Sequence, residues 1–151
     1  MNKYFLLVLL VPVLFFSCDM LNDSGSDDFE LIGSWVATDV VVDVASGTKA
    51  NITTNITQTT FTSKTVIQPA GSETYRSEGE LTSFNNEKNC YIAKVTSSDT
   101  PNMIGMYGRT EYELASDGSS FTGDSYSYET TEEAAKDSKT VQLTGIVCIK
   151  Q

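Results

Sequence analysis

Leu31-Ile32-Gly33-Ser34-Trp35-Val36-Ala37-Thr38-Asp39-Val40-Val41-Val42-Asp43-Val44 is the stretch that decides the fold. It is the longest β-branched run in the chain, and it opens the globular part. Val36, Val40, Val42 and Val44 share one side of an extended chain, with Asp39 and Asp43 on the other. A period of two marks a strand with one buried face. Gly33 and the only tryptophan, Trp35, stand at its head. Trp35 has the opposite parity to Val36. The strand therefore needs a bulge, or a barrel end near Gly33 where the chain turns inward.

Downstream, turn signals divide the chain cleanly. Ala45-Ser46-Gly47-Thr48 closes the first strand. Residues 50–68 form a Thr/Ile-rich run, too long for one strand of roughly five or six residues. It splits near Thr59 and Thr60, with Ile52 and Ile56 inward before the break and Phe61 and either Val66 or Ile67 after it. Residues 73–84 place Tyr75, Gly79 and Leu81 opposite Arg76, Glu78 and Glu80. Residues 89–97 and 103–115 are the next two strands. In the second, Ile104, Met106, Tyr112 and Leu114 face away from Arg109, Glu111 and Glu113. Asp117-Gly118 is the strongest hairpin signal, read as a type I′ turn into a strand over 119–129. Residues 130–136 are either one helical turn, with Thr130 and Glu133 at capping-box spacing, or a polar loop. Residues 139–150 end the fold, with Val141, Leu143, Val147 and Ile149 on one face.

That gives eight strands in series with short connections, an all-β chain. Such a meander removes its edges best by closing into a small antiparallel up-and-down barrel. A β-sandwich is the alternative. If the barrel closes, Val36, Val40, Met106, Tyr112, Leu143 and Val147 point into one interior. Asp39, Asp43, Glu111, Glu113 and Gln142 then point to solvent. Eight strands enclose either packed side chains or one small ligand.

Upstream, residues 1–17 read as an export leader rather than part of the fold. Lys3 is its basic region, and residues 4–16 are apolar apart from Pro12. Such a run is too short to span a bilayer of ~30 Å as a helix. It ends in Leu14-Phe15-Phe16-Ser17-Cys18. These residues resemble the lipobox of bacterial lipoproteins. The resemblance implies cleavage before Cys18, acylation of Cys18 by palmitate or similar chains, and anchoring to the lipid bilayer of the cell envelope. Two or more acyl chains hold a protein firmly at a membrane. An ordinary secretory signal with a cysteine near its end is the competing reading. Residues 18–30 then form an acidic tether holding Asp19, Asp23, Asp27, Asp28 and Glu30, without periodic apolar residues. The barrel domain is expected over 31–151.

At the head of that domain, Gly33-Ser34-Trp35 resembles the Gly-X-Trp pattern of the lipocalin-like, or calycin, barrels. The resemblance implies that Trp35 closes one barrel end against a late basic side chain, here Lys150 or Arg109. It also implies a small apolar ligand inside the barrel. Tyrosines suit such a cavity, because each offers apolar area and one hydroxyl. Tyr75, Met106, Tyr112 and Tyr126 are the candidate ligand contacts, with core packing as their other role. A filled barrel whose loops engage a protein partner, as an inhibitor, adhesin or envelope assembly component, is the alternative function.

Several chemistries are excluded by composition. The chain has no histidine, so imidazole bases, Ser-His-Asp triads and His-ligated zinc are absent. No nucleophile-base set is recognisable, and neither an enzyme nor a cofactor or metal site is expected. Glu78 with Glu80, and Glu111 with Glu113, read as solvated strand faces rather than as acid-base pairs. The formal net charge is −10, and no basic stripe interrupts it, so nucleic acid is not a partner. Asn51-Ile52-Thr53 and Asn55-Ile56-Thr57 read as strand residues, and Gly118 to Gly123 as a turn rather than a phosphate loop. Cys90 and Cys148 either form a bridge, contributing ~4 kcal/mol by loop entropy, or stay as two buried thiols.

Overall fold

A computed structural model of the chain describes residues 29–69 and 73–151. The leader and Cys18 lie outside the described residues. Eight antiparallel strands close into one barrel in sequence order. They are β1 (Gly33–Asp43), β2 (Thr48–Ile56), β3 (Thr60–Ile67), β4 (Thr74–Asn85), β5 (Cys90–Ser98), β6 (Tyr107–Leu114), β7 (Ser120–Tyr126) and β8 (Val141–Lys150). The closing contact, β1 against β8, rules out the sandwich. The Thr/Ile run breaks between Ile56 and Thr60, as the sequence indicates.

Bulges reset the parity of the strands that meet at closure. In β1, Trp35 pairs with Thr54 and Ala37 with Ile52, and then the register slips before Val40 pairs with Ala50. Asp39, at the slip, has a left-handed backbone (φ 56°). One extra residue there lets Trp35, Ala37 and Val40 share the inner face, while Val36 turns outward. This corrects the expectation that Val36 is internal. Gly145 does the same in β8 (φ 63°). Leu143, Ile146 and Cys148 face inward, and Val147 and Ile149 are each 55% exposed. The expectation that Val147 points inward therefore fails, because an unbroken period of two runs through a bulged position.

Other departures lie at the connections. Met106 and Ile104 precede β6 rather than belonging to it. Pro101 starts a 3-10 turn, Pro101–Met103, and Gly105 takes a positive φ of 87° before the strand begins. The Asp117-Gly118 hairpin forms, but not as type I′. Only Gly118 has positive φ, and the Asp117 carboxylate instead accepts from Ser119 N and Oγ. The helical turn exists as α1 (Glu132–Asp137), capped by Thr131 rather than Thr130, with Ala134 N donating to Thr131 Oγ1 at 3.1 Å. It packs outside the barrel over β5 and β6, where Ile92 and Ala135 are fully buried.

Arg109 fastens that helix. It faces outward on β6 beside Ile92 and is 6% exposed. Its guanidinium donates to the carbonyls of Lys136 and Ser138 at the end of α1 and lies 3.8 Å over the Tyr126 ring. Glu111 completes the group, pairing with Arg109 at 3.4 Å and accepting from Tyr126 Oη at 2.8 Å. A buried cation is tolerable only with such partners.

Candidate functional site: the barrel cavity

One end of the barrel is plugged by the residues that enter β1. Phe29, assigned to the tether on composition, is buried among Phe84, Tyr91 and Tyr112, with ring centroids at 5.0, 5.5 and 6.3 Å. The domain thus begins at least two residues earlier than expected. Leu31 is fully buried beside it, and its carbonyl accepts from Trp35 Nε1 at 2.7 Å. Trp35, 1% exposed, meets the Phe121 ring edge-on at 4.9 Å. Lys150 Nζ lies 5.4 Å from the Trp35 ring. Of the two basic side chains considered, Lys150 covers Trp35, while Arg109 is engaged at α1.

Above this plug lies a cavity of about 250 Å³. Strand direction orders its walls. Trp35, Ile56, Phe61, Phe121 and Cys148 form the apolar base. Thr54, Ser63 and Thr110 stand higher, and Thr65, Ser77 and Ser125 approach the open end. The open end carries the β1–β2, β3–β4, β5–β6 and β7–β8 connections. The wall is therefore apolar below and mixed above, where the hydroxyls stand among Ile52, Ala93 and Leu143. Among the described residues, Arg109 is the only charged one along it.

Two phenols also border the space. Burial pushes the Tyr91 hydroxyl up to about 12 despite a hydrogen bond to Thr110. Burial alone raises Tyr128. The Tyr128 ring lies against Gly108, the one residue type that leaves room for it: a Cβ at 108 would stand 2.8 Å from Tyr128 Cε1. The Cys148 thiol at the base is likewise pushed up, to about 11, by burial. All three groups are neutral at ordinary pH.

The residues singled out by sequence scatter around this site. Tyr112 is buried in the plug cluster and donates to Asn86 Oδ1 at 3.4 Å. Tyr126 borders the cavity, but its hydroxyl is committed to Glu111. Tyr75 is 39% exposed towards the open end, and Met106 lies in the β5–β6 connection. Leu143 lines the cavity, and Gln142 is exposed as expected, at the rim of its open end. Tyr91, Tyr128 and the hydroxyl wall were not singled out. Ser and Thr occupy both faces of β2 and β3, so alternation alone carries no signal for which of them face inward.

The Cys90–Cys148 bridge does not form, and Cys148 keeps a free thiol. The two cysteines sit on β5 and β8, with β6 and β7 between them. At ~4.8 Å per strand step, that separation exceeds the ~7 Å Cα limit for a disulfide.

The chain matches no family model, no curated protein and no solved structure.

Proposed function

We propose that the chain is an exported bacterial lipoprotein, held at the cell envelope through acylated Cys18, whose lipocalin-like barrel carries one small apolar ligand. The observation that carries the ligand reading is the cavity of about 250 Å³ above a tryptophan-closed base. A filled barrel acting only through its loops would leave no such space. The Trp35–Lys150 contact is the arrangement that the Gly33-X-Trp35 resemblance implies. The anchor rests on the leader and on Leu14-Phe15-Phe16-Ser17-Cys18.

Two experiments separate the parts of this proposal. Expressed in a bacterium that processes lipoproteins, the chain should partition into detergent and show an intact mass increased by acyl chains. Cys18→Ser should leave the detergent phase and lose that mass. A wild-type chain whose Cys18 is unacylated, with its thiol free or bridged, overturns the anchor. For the barrel, native mass spectrometry of the purified domain should show a co-purified small molecule that denaturation releases. A domain that carries none, and binds no small organic probe on titration, overturns the carrier reading.

A further inference from the structure

We infer that the cavity selects a compact uncharged amphiphile, its apolar end seated on Trp35 and Phe121 and its hydroxyl or carbonyl group meeting Tyr128. This rests on the carrier reading above and narrows it to one ligand class.

Size is the first argument. A cavity of ~150 Å³ takes a benzene-sized molecule, so about 250 Å³ holds roughly ten non-hydrogen atoms. A long acyl chain would have to project from the open end into solvent. Charge is the second. Among the described residues, every lining residue except Arg109 is neutral. Arg109 is no counter-ion for a ligand, because it faces outward against the Tyr126 ring, with Nη1 and Nη2 held by the Lys136 and Ser138 carbonyls and Glu111. Only its Nε lacks a partner among the described residues. A carboxylate or ammonium inside would lose its hydration without a partner, the costliest form of burial. The chain's net charge of −10 adds repulsion against anions.

Polarity is the third argument. The Tyr128 hydroxyl makes no hydrogen bond to the described residues, although burial raises its pKa. Tyr128 is half-buried, and its hydroxyl is not sealed off, so a molecule in the cavity can reach it. Tyr128 stands on the cavity wall with Thr110 and Ser125 beside the space. A hydroxyl can donate or accept, so this side of the cavity can meet either an alcohol or a carbonyl. The apolar base below fixes which end of the ligand enters first.

Trp35, the only tryptophan, lines the cavity base and reports occupancy through its emission. Titrating the leaderless domain at neutral pH with 1-hexanol should shift that emission saturably. Hexanoate and hexylammonium should bind at least tenfold more weakly. Tyr128→Phe, which keeps the ring against Gly108, should weaken 1-hexanol severalfold while leaving thermal stability unchanged. Hexanoate or hexylammonium binding as tightly as the alcohol overturns the selectivity but leaves the carrier reading standing. An unchanged 1-hexanol affinity in Tyr128→Phe overturns the role given to that hydroxyl. No response to any of the three probes, in a domain that also co-purifies with nothing, overturns both readings.

Discussion

Gly79 has no room for a side chain. A Cβ there would collide with the Lys94 carbonyl oxygen and with the Phe61 ring. The Lys94 oxygen belongs to the neighbouring strand's backbone and cannot swing away. Gly79→Ala should therefore destabilise the domain by about 1–3 kcal/mol, the usual range for overpacking. Urea unfolding checks this, and a variant as stable as wild type would show that β4 can shift outward. Glycine in mid-strand hints at such a close approach, but not at which neighbour fills the space. Trp35 shows the same division. Its place at the head of β1 is visible in Gly33-Ser34-Trp35. Its partner is not, because Lys150 and Arg109 both sit on strands, and only the assembled barrel brings Lys150 over the ring. Phe29 was hidden for a different reason. An isolated aromatic among acidic and small polar residues has no periodicity to mark it as core.

At the scale of elements, seven of the eight strand junctions are long ladders. The closing one is short, with Trp35 paired to Lys150 and Val36 to Ile149. Beyond Val36 the bulges begin, and side chains of neighbouring strands satisfy backbone donors at two of them. Asn51 Oδ1 accepts from Asp39 N at 3.1 Å, and Asp124 Oδ1 accepts from Gly145 N at 2.6 Å. Residues 38–43 and 141–147 thus face each other across the seam without a ladder between them. Amide hydrogen exchange should run fastest there among the strands and slowest in β4 and β5, because unprotected backbone opens at lower cost. Uniform protection around the barrel would contradict this reading. The same bulges explain what sequence alternation got right and wrong. In β2, β3 and the first part of β4 no register shift intervenes, and inward residues follow the period of two. In β1 and β8 each inserted residue inverts the pattern beyond it. Nothing in Thr38-Asp39 or Thr144-Gly145 alone distinguishes a bulge from a continuing strand. Gly145 was the weaker clue available, and the opposed parity of Trp35 and Val36 the stronger.

At the scale of the molecule, the barrel was legible because its evidence is additive. Turn signals, strand lengths and the absence of a long helix each point the same way, and an error of one residue in any strand does not change their number. The cavity was less legible, since an eight-stranded barrel may be filled or hollow by small differences in side-chain size. What occupies the interior also sets how the whole domain responds to base. Tyr91, Tyr112, Tyr128 and Cys148 are all neutral inside and all raised by burial, Tyr91 to about 12 and Cys148 to about 11. In the unfolded chain phenols ionise near pH ~10 and thiols near ~8.5. Between those values and the folded ones, the unfolded chain has released protons that the folded chain still holds, so stability falls as pH rises. At about 1.4 kcal/mol per pH unit, Tyr91 alone accounts for about 2–3 kcal/mol lost by pH ~12. The melting temperature should hold steady from roughly pH 7 to 8 and drop steeply above about pH 9–10. Tyrosinate absorbance should then rise in step with unfolding rather than ahead of it. Tyr91→Phe, which carries no ionisable group, should make the alkaline decline shallower. A domain that melts at the same temperature at pH ~11 as at pH ~8 would mean that water reaches these phenols and the thiol in the folded state.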